Sequence, residues 1–206
     1  IIHFVTSKYL LAINTVNGEC AVALSRHNLI LATKKIIADR GHSEILIPLI
    51  ETILKESNIN IDELAGFLVC IGPGNYTSLR VAISTARGLS LACKKPACGV
   101  SLFELLSTNS PKVLVSIKGP AEKVYVQSFS NGVEINQPKL MALSEIKETT
   151  EIFESETVGY KAMEIGNMIN SKSVSDSTKV SFKKFVAIGI KKLKPNCPKP
   201  APLYIK

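Results

Sequence analysis

The chain has 206 residues, 46% of them hydrophobic and 20% charged, the makeup of an ordinary globular protein of one or two domains. No apolar run approaches the ~20 residues of a membrane helix. Five cysteines without a C-x-x-C pair and three histidines outside any H-x-x-x-H array argue against a zinc or disulfide framework and fit a reducing cytoplasm.

The net charge of +8 is uneven: residues 1–107 are net +2, residues 108–206 net +6, and residues 177–206 hold eight lysines and no acid. Such a block can face phosphate or an acidic partner. It has no arginine and few aromatics (Phe182, Phe185, Tyr204), so sequence-specific reading of nucleic acid is unsupported. The opening Ile1–Ile13 lacks a basic flank and a small-residue cleavage site, so it does not read as a signal peptide.

In chain order, Tyr9–Thr15 reads as a buried strand, Cys20–Ser25 as a second and Leu29–Ile37 as a third, joined by short turns into an antiparallel meander. His42–Asn58 follows helical spacing through Ile45, Leu46, Leu49, Ile50, Ile53 and Leu54. Ser43 is the expected N-cap, and Pro48 predicts a kink or a late start. Asp62 is the expected cap of a single turn before Gly66–Ile71, a continuous apolar strand of the kind buried on both faces. Gly72–Tyr76 is a tight loop and Thr77–Cys93 a second helix, ended by Lys94-Lys95-Pro96. Ala97–Val100 is a strand, and Ser101 caps Leu102–Leu106.

This makes residues 1–107 a self-contained α/β domain, with a boundary near Asn109-Ser110-Pro111 and a second domain over 108–206. There, Lys112–Ile117 and Val124–Phe129 read as strands. Leu143–Thr149, Lys161–Ile169 and Phe185–Lys192 read as helices, and Ser171–Ser177 as a polar loop. The details of residues 130–180 are not legible.

The stretch Ile71-Gly72-Pro73-Gly74-Asn75-Tyr76-Thr77-Ser78-Leu79-Arg80 carries the most information. A buried strand runs through two glycines into a helix whose first N–H groups are a ready anion site, with Thr77 or Ser78 as cap. It is neither a P-loop nor a complete dinucleotide fingerprint. Gly72, Gly74, Thr77 and Arg80 are therefore candidates for a nucleotide or anion loop, and a purely structural turn is the other reading. Arg80 either assists an anion or pairs with a carboxylate.

Along the helix, Ser78, Ala82, Ala86 and Ser90 form one small row and Ser84, Gly88 and Ala92 another. Interior Gly88 costs about 1 kcal/mol relative to Ala, which implies a packing reason. Small rows admit a close helix. The rows serve close packing onto the chain's own sheet or the His42–Asn58 helix, and on the sharper reading these two helices form an intermolecular face as well. For that face Leu46, Ile50, Ser78, Ala82, Ala86 and Ser90 are the chosen residues, and Ala82→Arg or Ala86→Arg is expected to abolish pairing without unfolding. No nucleophile elbow exists, and Asn14 and Lys118 stand at turns where Mg-nucleotide chemistry wants acids. No catalytic residue and no metal ligand is assigned.

Leu10–Thr15 with Cys20–Leu24, Gly72–Arg80, Gly88-Leu89, Pro96–Ser101 and the closing Pro202–Lys206 together resemble the TsaB (YeaZ) family. The loop looks like that family's GPGSFTGLR signature. The resemblance covers most of residues 10–107 and the tail. It implies a two-lobed, actin-like ASKHA (ribonuclease H-like) α/β fold of mixed sheets flanked by helices, with the last helix packing back on the first lobe.

It also implies a non-catalytic subunit, homodimeric when isolated, that binds TsaD and supports the ATPase TsaE. That complex adds threonylcarbamoyl to N6 of the adenosine 3′ to the anticodon in tRNA. The implied chain needs no cofactor and meets tRNA through the complex and no membrane. Asn14 and Lys118 depart from the family's acids, and Asn75, Tyr76 and Ser78 replace Ser, Phe and Gly. The competing class is a nucleotide-binding phosphotransferase or a peptidase homologue of the same fold.

Overall fold

The computed structural model describes residues 9–147, 155–171 and 174–205. In chain order the elements are β1 (Tyr9–Asn14), β2 (Glu19–Arg26), β3 (Leu29–Ile37), α1 (His42–Glu56), β4 (Leu64–Cys70), α2 (Tyr76–Cys93), β5 (Ala97–Val100) and α3 (Leu102–Leu106). Then come β6 (Val113–Lys118), β7 (Val124–Ser130), β8 (Val133–Glu134), β9 (Lys139–Met141), α4 (Leu143–Ile146), β10 (Glu156–Gly159), α5 (Ala162–Met168), β11 (Val174–Ser175) and α6 (Phe182–Lys192). The chain divides into two compact units, Ile1–Ser101 with Ser181–Pro202, and Leu102–Val180 with Leu203–Lys206.

The division corrects the expected boundary at 107/108. α3 belongs to the second unit, where it packs on β6, and α6 belongs to the first.

In the first unit the sheet order is β3-β2-β1-β4-β5. β1 to β3 form an antiparallel meander, while β4 and β5 join parallel to β1. Alternation along each strand sends Leu11, Ile13, Val22, Leu24, Phe67 and Val69 to one face, where α1 and α2 cover them with Leu46, Ile50, Ile53, Ala82 and Ala86. α6 lies against β1, β3, β4 and β5, with Phe185 and Val186 fully buried. A Cβ on its Gly189 would strike the side chain of Leu68, so the helix backbone lies close on β4.

Three local expectations change. α1 starts at His42 and runs through Pro48, whose missing N–H falls on the exposed side of the helix. Its N-cap is Gly41 in the left-handed region, and the Ser43 hydroxyl bonds the Glu44 carboxylate instead of capping. The turn before β4 is capped by Asn60, whose side chain accepts from the Asp62 N–H, so Asp62 is not the cap.

In the second unit the order is β11-β10-β6-β7-β8, with β9 also on β7. The third strand of this meander is split in two. At the break the Asn136 side chain accepts the Ser128 N–H at 2.9 Å and its carbonyl accepts the Gln127 amide at 3.0 Å, replacing the missing ladder bonds. Leu114, Val124, Val126, Ile146, Ile165 and Ile169 form the core. Residues 148–149 of the expected helix 143–149 lie outside the described residues, as do 172–173 of the expected polar loop, in which Val174–Ser175 pairs with β10. Both units therefore carry the strand order of an actin-like ASKHA fold. Among the described residues no helix is long and apolar enough to cross a membrane.

Candidate functional site

The glycine loop joins β4 to α2 in the first unit. Gly72 is buried at φ +89°, and a Cβ there would come within 2.6 Å of the Leu79 side chain, so the position demands glycine on both counts. The Gly72–Pro73 peptide is cis. Gly74 sits 3.1 Å, in Cβ terms, from Val16 beyond the end of β1.

The cap of α2 is Asn75, two residues before Thr77 and three before Ser78, the caps expected. Its Oδ1 accepts the Thr77 N–H at 3.0 Å and the Ser78 N–H at 3.2 Å. The Ser78 hydroxyl donates to the Asn75 carbonyl, and the Thr15 hydroxyl donates to the Ser78 carbonyl at 2.9 Å, tying β1 to the helix start. Two donors that an anion would need at a helix N-terminus are thus already taken by the chain's own side chain. Arg80, offered as an anion contact or a carboxylate partner, lays its guanidinium over the Tyr76 ring at 3.8 Å.

The six residues chosen for an intermolecular face do not form one. Leu46, Ile50, Ala82 and Ala86 lie in the core beneath α1 and α2, Ser78 is buried at the helix start, and only Ser90 is half-buried. Ala82 and Ala86 are 0% exposed, so an arginine at either would enter the core and unfold the unit, not merely block pairing.

The outward strip of α2 is the other row: Thr77, Arg80, Ser84, Arg87, Gly88 and Leu91 are exposed, Leu91 at 82%. Among the described residues, a Cβ on Gly88 would meet nothing within 4 Å. The signal that identifies this strip in the sequence is the spacing of Arg80, Ser84 and Arg87, polar residues at helical intervals that mark the solvent side.

At the end of β1, Asn14 is fully buried. Its amide donates to Glu19 at 2.9 Å, Glu19 pairs with Lys35 at 3.2 Å, and Asn14 Oδ1 has no partner among the described residues. Lys118 ends β6 and is exposed, with its ammonium 5.9 Å from the centre of the Tyr160 ring. All five cysteines are free thiols. Burial pushes the Cys20 thiol up to about 11, and burial with the nearby Asp62 charge raises Cys93 against the opposing pull of Lys95. Raised thiols of this kind are poor nucleophiles at neutral pH. Among the described residues no three His, Cys, Asp or Glu side chains gather as a metal site.

Comparison with known proteins gives this geometry a family. The family model described as TsaD, tRNA N6-adenosine threonylcarbamoyltransferase, matches residues 33–191. The tRNA threonylcarbamoyladenosine biosynthesis protein TsaB of Escherichia coli (strain K12) is 28% identical over 60% of this chain and 57% of its own length. A tRNA N6-adenosine threonylcarbamoyltransferase of Trichlorobacter lovleyi is 32% identical over 46% of this chain and 32% of its own. The chain thus spans less than two thirds of the length of these curated relatives. The solved structure of YeaZ from Pseudomonas aeruginosa superposes with a TM-score of 0.76 at 18% identity, covering 96% of this chain and all of that one, a likeness of fold. The chain belongs to the TsaD family, and within it to the TsaB/YeaZ group.

Proposed function

We propose that the chain is a non-catalytic scaffold subunit of the machinery that adds threonylcarbamoyl to N6 of the adenosine 3′ to the anticodon in tRNA. It docks a TsaD-like catalytic subunit through α1 and α2, supports a TsaE-like ATPase, and pairs with itself through the same face when isolated. The observation that carries the reading is the outward strip of α2, where Ser84 and Gly88 leave a flat helix surface beside an 82% exposed Leu91. Such a surface lets a second helix approach closely and bury an apolar anchor.

The glycine loop serves this role as a structural turn. Asn75 consumes the first donors of α2, and Thr15 fixes the helix start to β1. The enzymatic reading has less support, because Asn14 supplies no carboxylate at the end of β1 and binds Glu19 through its amide.

The test is co-purification with a TsaD-like subunit, followed by a tRNA modification assay with and without this chain. Ser84→Arg is expected to leave the melting temperature unchanged and to weaken partner binding by more than about tenfold, as truncation or blocking at a small hot spot does. Ala86→Arg is expected to unfold the chain. Partner binding that survives Ser84→Arg and Gly88→Arg together, or ATP turnover by the isolated chain, would reject the proposal.

A further inference from the structure

We propose that a cleft at the C-terminal end of α2 binds the phosphodiester backbone of RNA, making this chain itself an RNA contact. The cleft encloses about 650 Å³ within the first unit, and its lining includes Arg87, Lys94, Lys95 and Lys199 together with Leu91 and Pro195. No Asp or Glu lines it, and among the described residues none of the four cations is in an ion pair.

The segments that build the cleft are as one-sided, although Asp62, from before β4, comes near enough to Cys93 to raise its thiol. In the first unit every acidic residue precedes Leu64, whereas residues 64–101 and 181–202 carry ten Lys and Arg and no acid. Four cations around one concave site with no carboxylate in its lining repel one another, a cost that a bound polyanion removes.

Their backbones are fixed. α2 ends with Lys94 in the left-handed region at φ +54°, a position where glycine is the common choice. The Lys95 N–H bonds the Ser90 carbonyl at 3.1 Å, and the Ser90 hydroxyl donates to the Lys95 carbonyl at 2.6 Å. Basic residues at a helix C-terminus also suit its dipole, which alone would account for Lys94 and Lys95. It does not account for Lys199, which arrives on the segment after α6. That segment is held against β5 by the Cys197 thiol, 3.3 Å from the Ala97 carbonyl. Two separate stretches of chain therefore converge their cations on one cleft.

The lining holds no aromatic side chain and a single arginine, so it is suited to phosphate and sugar and not to base edges. The choice of RNA over other polyanions rests on the tRNA-modification reading above.

The test is fluorescence anisotropy of the isolated full chain with a labelled tRNA transcript, across about 50–200 mM salt. A labelled poly-glutamate peptide is run in parallel. The combined Arg87→Gln, Lys94→Gln, Lys95→Gln and Lys199→Gln variant is expected to bind the transcript at least about tenfold more weakly. It should flatten the slope of log affinity against log salt by about 3, as loss of four phosphate contacts requires. A control that removes the same charge from the second unit, Lys118, Lys123, Lys139 and Lys147 each to Gln, is expected to change affinity less than about threefold, since it leaves the cleft intact. Replacing Lys94, Lys95 and Lys199 by Arg should preserve binding.

Equal losses in the two sets would overturn the proposal in favour of diffuse attraction by net charge. Preference for the peptide would overturn it in favour of an acidic protein partner, and a wild-type chain that leaves the transcript unbound would overturn it outright. The measurement involves no TsaD-like subunit, and it is run with the chain dilute enough to leave self-pairing dissociated, because Arg87, Gly88 and Leu91 belong both to the cleft and to the outward strip of α2. A chain that shows this pattern yet docks no TsaD-like protein therefore refutes the scaffold reading alone, and one that docks the protein without the pattern refutes this inference alone.

Discussion

Gly88 separates what a residue costs from what it is for. Inside α2 it gives up about 1 kcal/mol of helix propensity relative to alanine. The sequence implies that packing repays the cost, yet among the described residues no atom outside its own helix lies within 4 Å of where its Cβ would be. Elsewhere the glycines are needed internally: at Gly66 a Cβ would come within 2.8 Å of the Pro96 carbonyl and 2.9 Å of Leu193. Gly88→Ala is therefore expected to raise the stability of the isolated chain by about 0.5–1 kcal/mol, or some 1–4 °C in thermal melting followed by circular dichroism. A melting temperature that falls would mean that the position is packed within the chain after all. If the same substitution weakens docking while the chain grows more stable, the glycine is kept for a partner's approach.

At the scale of elements, the central argument concerns how α2 begins. One side chain, Asn75, satisfies two of the four N–H groups that every helix leaves open. Asn75→Ala is expected to cost about 1 kcal/mol, visible as a lower denaturation midpoint. Asn75→Asp should hold or exceed wild-type stability, since a carboxylate caps equally well and suits the positive end of the helix dipole. If both variants melt alike, the cap is not what fixes the helix start.

Most strands and helices of the first unit were legible because they are long and apolar, from β2 with its buried run Cys20–Ser25 to α1 with its apolar positions at helical spacing, and even the four-residue β5 is flanked by a proline and a capping serine. The direction α2 faces was not. Both of its rows are small, so hydrophobic spacing does not rank them, and only the arginines at 80 and 87 mark the outside. In the second unit β10 reads Glu-Thr-Val-Gly and β11 has two residues, too short and too polar to alternate visibly. The split of the third strand into β8 and β9 depends on Asn136 accepting from the Ser128 N–H and the Gln127 side-chain amide, eight and nine residues earlier, which no local pattern reveals.

For the whole molecule, the decisive fact is that the first unit is discontinuous in sequence. The two units share one strand order, and in each the meander is followed by two crossovers to parallel strands. The helix after β5 belongs to the second unit, while the helix after β11 belongs to the first. A fragment ending at residue 107, a natural cut on sequence grounds, would therefore lack the helix that covers one face of its own sheet. Phe185 and Val186 alone are fully buried there, worth about 1.5–3 kcal/mol each. Their loss also uncovers Leu68, the side chain against which α6 lies at Gly189. Set against a total stability of about 5–15 kcal/mol for an ordinary domain, that is enough to remove cooperative folding. The fragment 1–107 is expected to melt without a sharp transition and to bind a hydrophobic dye. Joining residues 181–202 to residue 101 through a flexible linker should restore a cooperative transition. Sharp two-state melting of the 1–107 fragment on its own would mean that α6 is a passenger on a sheet that stands without it, and the division of the chain drawn here would have to be redrawn.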